Sequence, residues 1–154
     1  MELTEILVAD AVHYAQSASS KKRLLQKISE QAASIYDLDS EQVFAALTAR
    51  EALGTTGVGR GVAIPHARFE NLDRVVGLFT RLEKPLDYDS MDHQAVDLVF
   101  TLLAPQKEGA EHLKALALVS RTLRDEDVCS KLRSNNDAQT IFSILVEKQS
   151  SQAA

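Results

Sequence analysis

The chemistry this chain offers is concentrated between Arg50 and Arg68, where the sequence reads REALGTTGVGRGVAIPHAR. Four glycines (Gly54, Gly57, Gly59, Gly61) lead to a short apolar run, Val62-Ala63-Ile64, and then to the pair Pro65-His66. Glycine lets a backbone turn tightly and pass close to a neighbour, while proline stiffens the residue before it and tends to end a strand. The spacing therefore places His66 at a strand terminus, and the charges of Arg68 and Glu70 indicate a segment emerging at the surface. An imidazole there, with an ordinary pKa near about 6.5, is a nucleophile when neutral, and the amides of Gly57, Gly59 and Gly61 are donors for an anion. Spacing alone equally fits a packed histidine satisfied by a backbone carbonyl, with glycines that merely turn a loop.

Other chemistries fit less well. GVGRG is preceded by a helical pattern and followed by an extended run ending in proline, the reverse of the strand-then-helix setting of a dinucleotide fingerprint. Neither GxxxxGK[ST] nor a GxSxG elbow occurs. Cys129 is a lone cysteine in a charged segment with no histidine near it in sequence. The histidines at 13, 66, 93 and 112 show no HExxH or close pairing, so no metal site is expected, and His13 and His93 read as surface or strand-edge residues.

The elements that must position these residues follow from periodicity. Residues 3–18 combine an apolar turn with a brief strand over 11–14. From Ser19 or Ser20, KKRLLQKISEQAASIY puts Leu24, Ile28, Ala32 and Ile35 on one helical face. A second helix starts at Asp39 or Ser40, with Asp39 as cap, and runs to about Leu53. Arg50 falls in its last turn, where a cation meets the negative end of the helix dipole, and Gly54 follows its end. Strands are expected over 62–64, 74–82 and 96–104, the last nearly continuously apolar and so central, with a loop over 86–93. After Pro105 and a polar loop, HLKALALVSRTL is a helix with Leu113, Leu116, Ala117 and Leu123 inward and His112 in its first turn. Helices over 126–132 and from Asp137, with Ile141, Ile144 and Leu145 inward, complete the chain.

Together these elements make one α/β domain, with a mixed parallel and antiparallel central sheet flanked by helices on both sides. At 154 residues, 45% hydrophobic and 25% charged, the chain suits a single soluble globular domain. A formal charge of −5, from 22 acidic and 17 basic residues, argues against nucleic acid. With no basic leader and no apolar run of membrane-spanning length, a cytoplasmic protein without membrane insertion is expected.

The run from Thr48 to Arg68 closely resembles the active-site signature of phosphotransferase-system enzyme IIA domains of the mannitol/fructose type, and most of all their nitrogen-regulatory branch. The resemblance extends over nearly the whole chain, through SKKRLLQKISEQAA, QAVDLVFTLLAP and HLKALALVSRTL. It implies that residues 1–148 form an enzyme IIA domain, and the polar QSSQAA at 149–154 reads as a frayed tail. It implies further that His66 accepts a phosphoryl group from a histidine phosphocarrier protein, that Arg50 helps hold that group, and that His112 sits beside it, with no cofactor. Regulatory targets of the branch are implied to include potassium-transport and sensor-kinase components. A sugar-specific enzyme IIA that passes its phosphoryl group to a IIB domain is the alternative. Arg60, where the branch commonly has asparagine, and Ala67, where it commonly has glycine, depart from the pattern.

Overall fold

The structure, a computed structural model, describes residues 1–107 and 109–147; the expected tail at 149–154 lies outside them. After a 3₁₀ turn at Leu3–Glu5 come β1 (Leu7–Gln16), α1 (Lys21–Tyr36), α2 (Ser40–Ala52), β2 (Gly57–Gly59), β3 (Val62–Ala63), β4 (His66–Phe69), β5 (Val76–Leu86), β6 (Val96–Pro105), α3 (Gly109–Arg124), α4 (Glu126–Ser134) and α5 (Ala138–Val146).

The six-stranded sheet runs β1-β5-β6-β3-β2, with β4 also paired to β6. Pairing is parallel for β1–β5, β3–β6 and β4–β6, and antiparallel for β5–β6 and β2–β3, the mixed sheet expected. Val76–Leu82 and nearly all of β6 are buried, as strands covered on both faces must be. Helices α1 and α2 pack together, α1 against β1 and β5 and α2 against β4; α3 lies on β6, α4 bridges α3 and α5, and α5 returns to β1. Helix starts follow the expected caps: Ser20 accepts from the Arg23 amide, Asp39 from Glu41 and Gln42, and Asp137 from Thr140.

Several expectations are corrected. The first strand is ten residues long rather than four; register shifts against β5 and a left-handed residue at Ala15 (φ 53°) break the two-residue alternation that would have revealed it. The segment 86–93 is not a plain surface loop: β5 reaches Leu86, and Tyr88 and Ser90 are buried beneath it. In α3 the buried face is His112, Ala115, Val119, Thr122 and Leu123, whereas Leu113 and Ala117 point outward. The inward stripe there carries a histidine and a threonine, so hydrophobicity alone selects the wrong face.

The most consequential correction concerns Pro65. It does not end the strand pairing: Val62 pairs with Leu98, Ala63 with Val99, His66 with Leu102 and Ala67 with Leu103, one unbroken register either side of the proline, while Arg68 and Glu70 are exposed as expected. Proline lacks a donor yet keeps its carbonyl, which accepts from the Leu102 amide at 2.9 Å, so β6 holds the chain in line. His66 therefore opens a strand and is half-buried.

Candidate functional site

Three elements converge on His66: the C-terminal turn of α2, the start of β4 and the first turn of α3. The kink at Ile64-Pro65 puts the Ile64 carbonyl 2.9 Å from His66 Nδ1. A carbonyl only accepts, so Nδ1 carries the proton and Nε2 keeps its lone pair. Arg50 independently requires the same tautomer, because its Nε–H donates to His66 Nε2 at 3.3 Å. Its Nη1 donates to the Gly54 carbonyl at 2.9 Å, so one guanidinium both satisfies the end of α2 and touches the imidazole.

His112, the fourth residue of α3, lies edge-on to His66, with ring centroids 5.4 Å apart and planes at 90°. It is only 4% exposed, and its buried Nδ1 has no hydrogen-bond partner among the described residues. Burial pushes the His112 pKa down to about 4, with the His66 and Arg68 charges acting in the same direction. His66 is lowered too, first by burial, while the Ile64 carbonyl opposes and Arg50 adds to the shift. Both imidazoles are neutral at pH 7, as a nucleophilic nitrogen requires.

Behind Arg50 stands a buried network that sequence reading missed. Glu51 pairs with Lys21 at 2.9 Å and accepts from the Thr56 amide and hydroxyl; Thr56 Oγ1 lies 3.1 Å from the Tyr88 hydroxyl, and the Lys21 ammonium sits 4.4 Å from the Tyr88 ring centroid. This ties the segment after α2 to α1 and to the turn before β6, and places a carboxylate whose charge partly offsets the arginines at His66. Apart from the Glu51–Thr56 pair, its partners are 30 or more residues apart in sequence, so no local motif signals the network.

The glycines serve packing. A side chain at Gly57 would strike Ser90, one at Gly59 would meet Asp92, and Gly61 (φ 79°) lies against Arg133 and Asp97. Of the three glycine amides expected to face an anion, that of Gly57 donates to Thr55 Oγ1, and the neighbouring Arg60 amide donates to Asp92 Oδ2. No trio of His, Cys, Asp or Glu side chains among the described residues is arranged to hold a metal ion.

Comparison with known proteins gives the family. The family described as phosphoenolpyruvate-dependent sugar phosphotransferase system, EIIA 2, matches residues 5–148. The chain belongs to the enzyme IIA type 2 family of the phosphotransferase system. Within that family it is 49% identical over 145 residues to a nitrogen regulatory protein of Bradyrhizobium diazoefficiens, covering 94% of this chain and 95% of the relative. A fructose-specific enzyme IIA component of Haloferax volcanii is 38% identical over 109 residues, 71% of each chain. Among solved structures, nitrogen regulatory protein IIA-Ntr from Neisseria meningitidis superposes with a TM-score of 0.87 at 33% identity, over 92% of this chain and 97% of that one. The enzyme IIA fold thus brings together Arg50, His66 and His112, which lie up to 62 positions apart in sequence.

Proposed function

We propose that this protein is a nitrogen-regulatory enzyme IIA that accepts a phosphoryl group on His66 Nε2 from a histidine phosphocarrier protein and signals through its phosphorylation state. The observation that carries this reading is the fixed tautomer: Nδ1–H is held by the Ile64 carbonyl, and Nε2 is left as an unprotonated nitrogen against the Arg50 guanidinium. In the transfer, the Nε2 lone pair forms the new N–P bond as the donor's N–P bond breaks, and the electron pair of that bond stays on the donor's ring nitrogen. The proton on Nδ1 need not move. Such transfer depends on in-line positioning and on neutralising charge spread over three phosphoryl oxygens. Arg50 supplies this by turning its Nε–H from Nε2 to an oxygen, and His112 closes one side of the site.

Phosphorylation adds roughly 1.5 to 2 negative charges at a surface patch, enough to gate a protein interface electrostatically. The reading extends to regulatory targets contacted in the cytoplasm, of the potassium-transport or sensor-kinase kind that the family resemblance implies; no described helix is long and apolar enough to cross a membrane. The fructose-specific relative supports a second reading, a sugar carrier that passes its phosphoryl group to a IIB domain.

The test incubates the protein with phosphoenolpyruvate, enzyme I and a histidine phosphocarrier protein, and follows acid-labile phosphate by intact mass. Wild type should gain one phosphoryl group and His66→Ala none; equal labelling of the two overturns the proposal. Efficient onward transfer to a sugar-specific IIB domain would favour the second reading.

A further inference from the structure

We propose that Arg68 is a second cationic clamp on the phosphoryl group of His66, gripping it from the α3 side while Arg50 grips it from the α2 side; this rests on the phosphohistidine reading above. His66 and Arg68 are alternate residues of β4, paired to Leu102 and Ala104 of the same strand, so their side chains leave the sheet on one face, with buried Ala67 between them turned to the other. The Arg68 guanidinium then lies against the start of α3. Both Nη1 and Nη2 stand 3.8 Å from where a β-carbon on Gly109 would be, three residues before His112. Gly109 thus leaves the guanidinium room beside the helix that carries the second imidazole. Its charge is felt by both rings, lowering the proton affinity of His66 and of His112.

Arg50, the other arginine whose charge acts on His66, is engaged, and so are Arg60 and Arg133 farther along the chain. Arg50 binds His66 and the Gly54 carbonyl, Arg60 pairs with Glu126, and Arg133 pairs with Asp97. Arg68 is exposed and makes no hydrogen bond or ion pair to another described residue. A planar guanidinium in that state is suited to two oxygens of a phosphoryl group, whose three equatorial oxygens exceed what one arginine can grip. Arg50 meets Nε2 from the end of α2, and Arg68 stands beside the start of α3 on the same face of β4 as His66.

The experiment uses the full chain as wild type, Arg68→Ala and Arg68→Lys, phosphorylated by phosphoenolpyruvate, enzyme I and a histidine phosphocarrier protein. It reads the maximal rate, the KM for the donor protein, the lifetime of the phosphohistidine after donor removal, and the pKa values of both histidines by nitrogen NMR. Arg68→Ala should lower the maximal rate and shorten the lifetime by about tenfold, with Arg68→Lys recovering part of each. Both histidine pKa values should rise in Arg68→Ala, a response that loss of a packing contact would not produce, while thermal unfolding is unchanged. Rate and lifetime within about twofold of wild type overturn the proposal, as does an effect confined to the donor KM, which would make Arg68 a docking residue. If His66→Ala labels like wild type, the phosphohistidine reading fails and this proposal falls with it. If wild type labels, His66→Ala does not, and Arg68→Ala behaves like wild type, the clamp alone is refuted.

Discussion

Replacing His112 with glutamine should flatten the acid limb of this protein's stability curve. The folded His112 is held at a pKa of about 4 against 6.5 for the free side chain, so on acidification the unfolded chain takes up a proton that the fold refuses. Stability from the neutral ring is complete above about pH 6.5 and is lost as pH falls towards 4. The full difference corresponds to about 3 kcal/mol, of which up to about 2 kcal/mol is lost by pH 5. Urea unfolding of wild type and His112→Gln at about pH 7.5 and pH 5 measures it directly, because any packing cost of glutamine enters at both pH values and cancels. His13, also lowered by burial, titrates in both proteins and cancels as well. Wild type should lose about 1 to 2 kcal/mol more than the variant between the two pH values. Equal losses would mean that His112 is not held neutral by its surroundings, and the account of the paired imidazoles would be wrong.

Arg50→Lys should slow phosphorylation of His66 by about 10- to 100-fold, because an ammonium cannot keep the Gly54 carbonyl and the imidazole engaged together; rapid-quench labelling measures it, and an unchanged rate removes Arg50 from the site. Arg81 is buried and donates to the carbonyls of Leu132, Arg133 and Asn135 and to the Asn136 side chain, capping the end of α4. Arg81→Met should therefore cost about 3 kcal/mol in urea unfolding, and a loss below about 1 kcal/mol would mean that those carbonyls find other donors. In Gly57→Ala the new methyl carbon would stand 2.9 Å from Ser90 Cα, a backbone atom that cannot swing aside; a loss of about 2 kcal/mol or more is expected, and an unchanged midpoint would refute that close approach.

What the chain reveals by itself is local. Ser20, Asp39 and Asp137 mark helix starts because a cap bonds amides two or three residues away, and Val96–Pro105 declares a central strand because burial on both faces demands continuous apolar residues. Residue types and the glycine-to-histidine motif single out Arg50, His66 and His112 through their resemblance to the enzyme IIA family. The bulged β1 and the inward face of α3 were hidden, the one by register shifts against a strand 66 to 70 residues away, the other by polar residues buried in company that the helix itself does not specify. Only the tertiary structure decided the state of His66. Sequence placed a proline before it and read an exit to the surface; pairing to β6 kept the chain in the sheet and brought the Ile64 carbonyl to Nδ1 and Arg50 to Nε2. The tautomer is set by hydrogen bonds whose partners come from different elements, and so is the setting of Arg68 against Gly109. Such partnerships depend on where the backbone runs in three dimensions, which spacing along the chain does not encode.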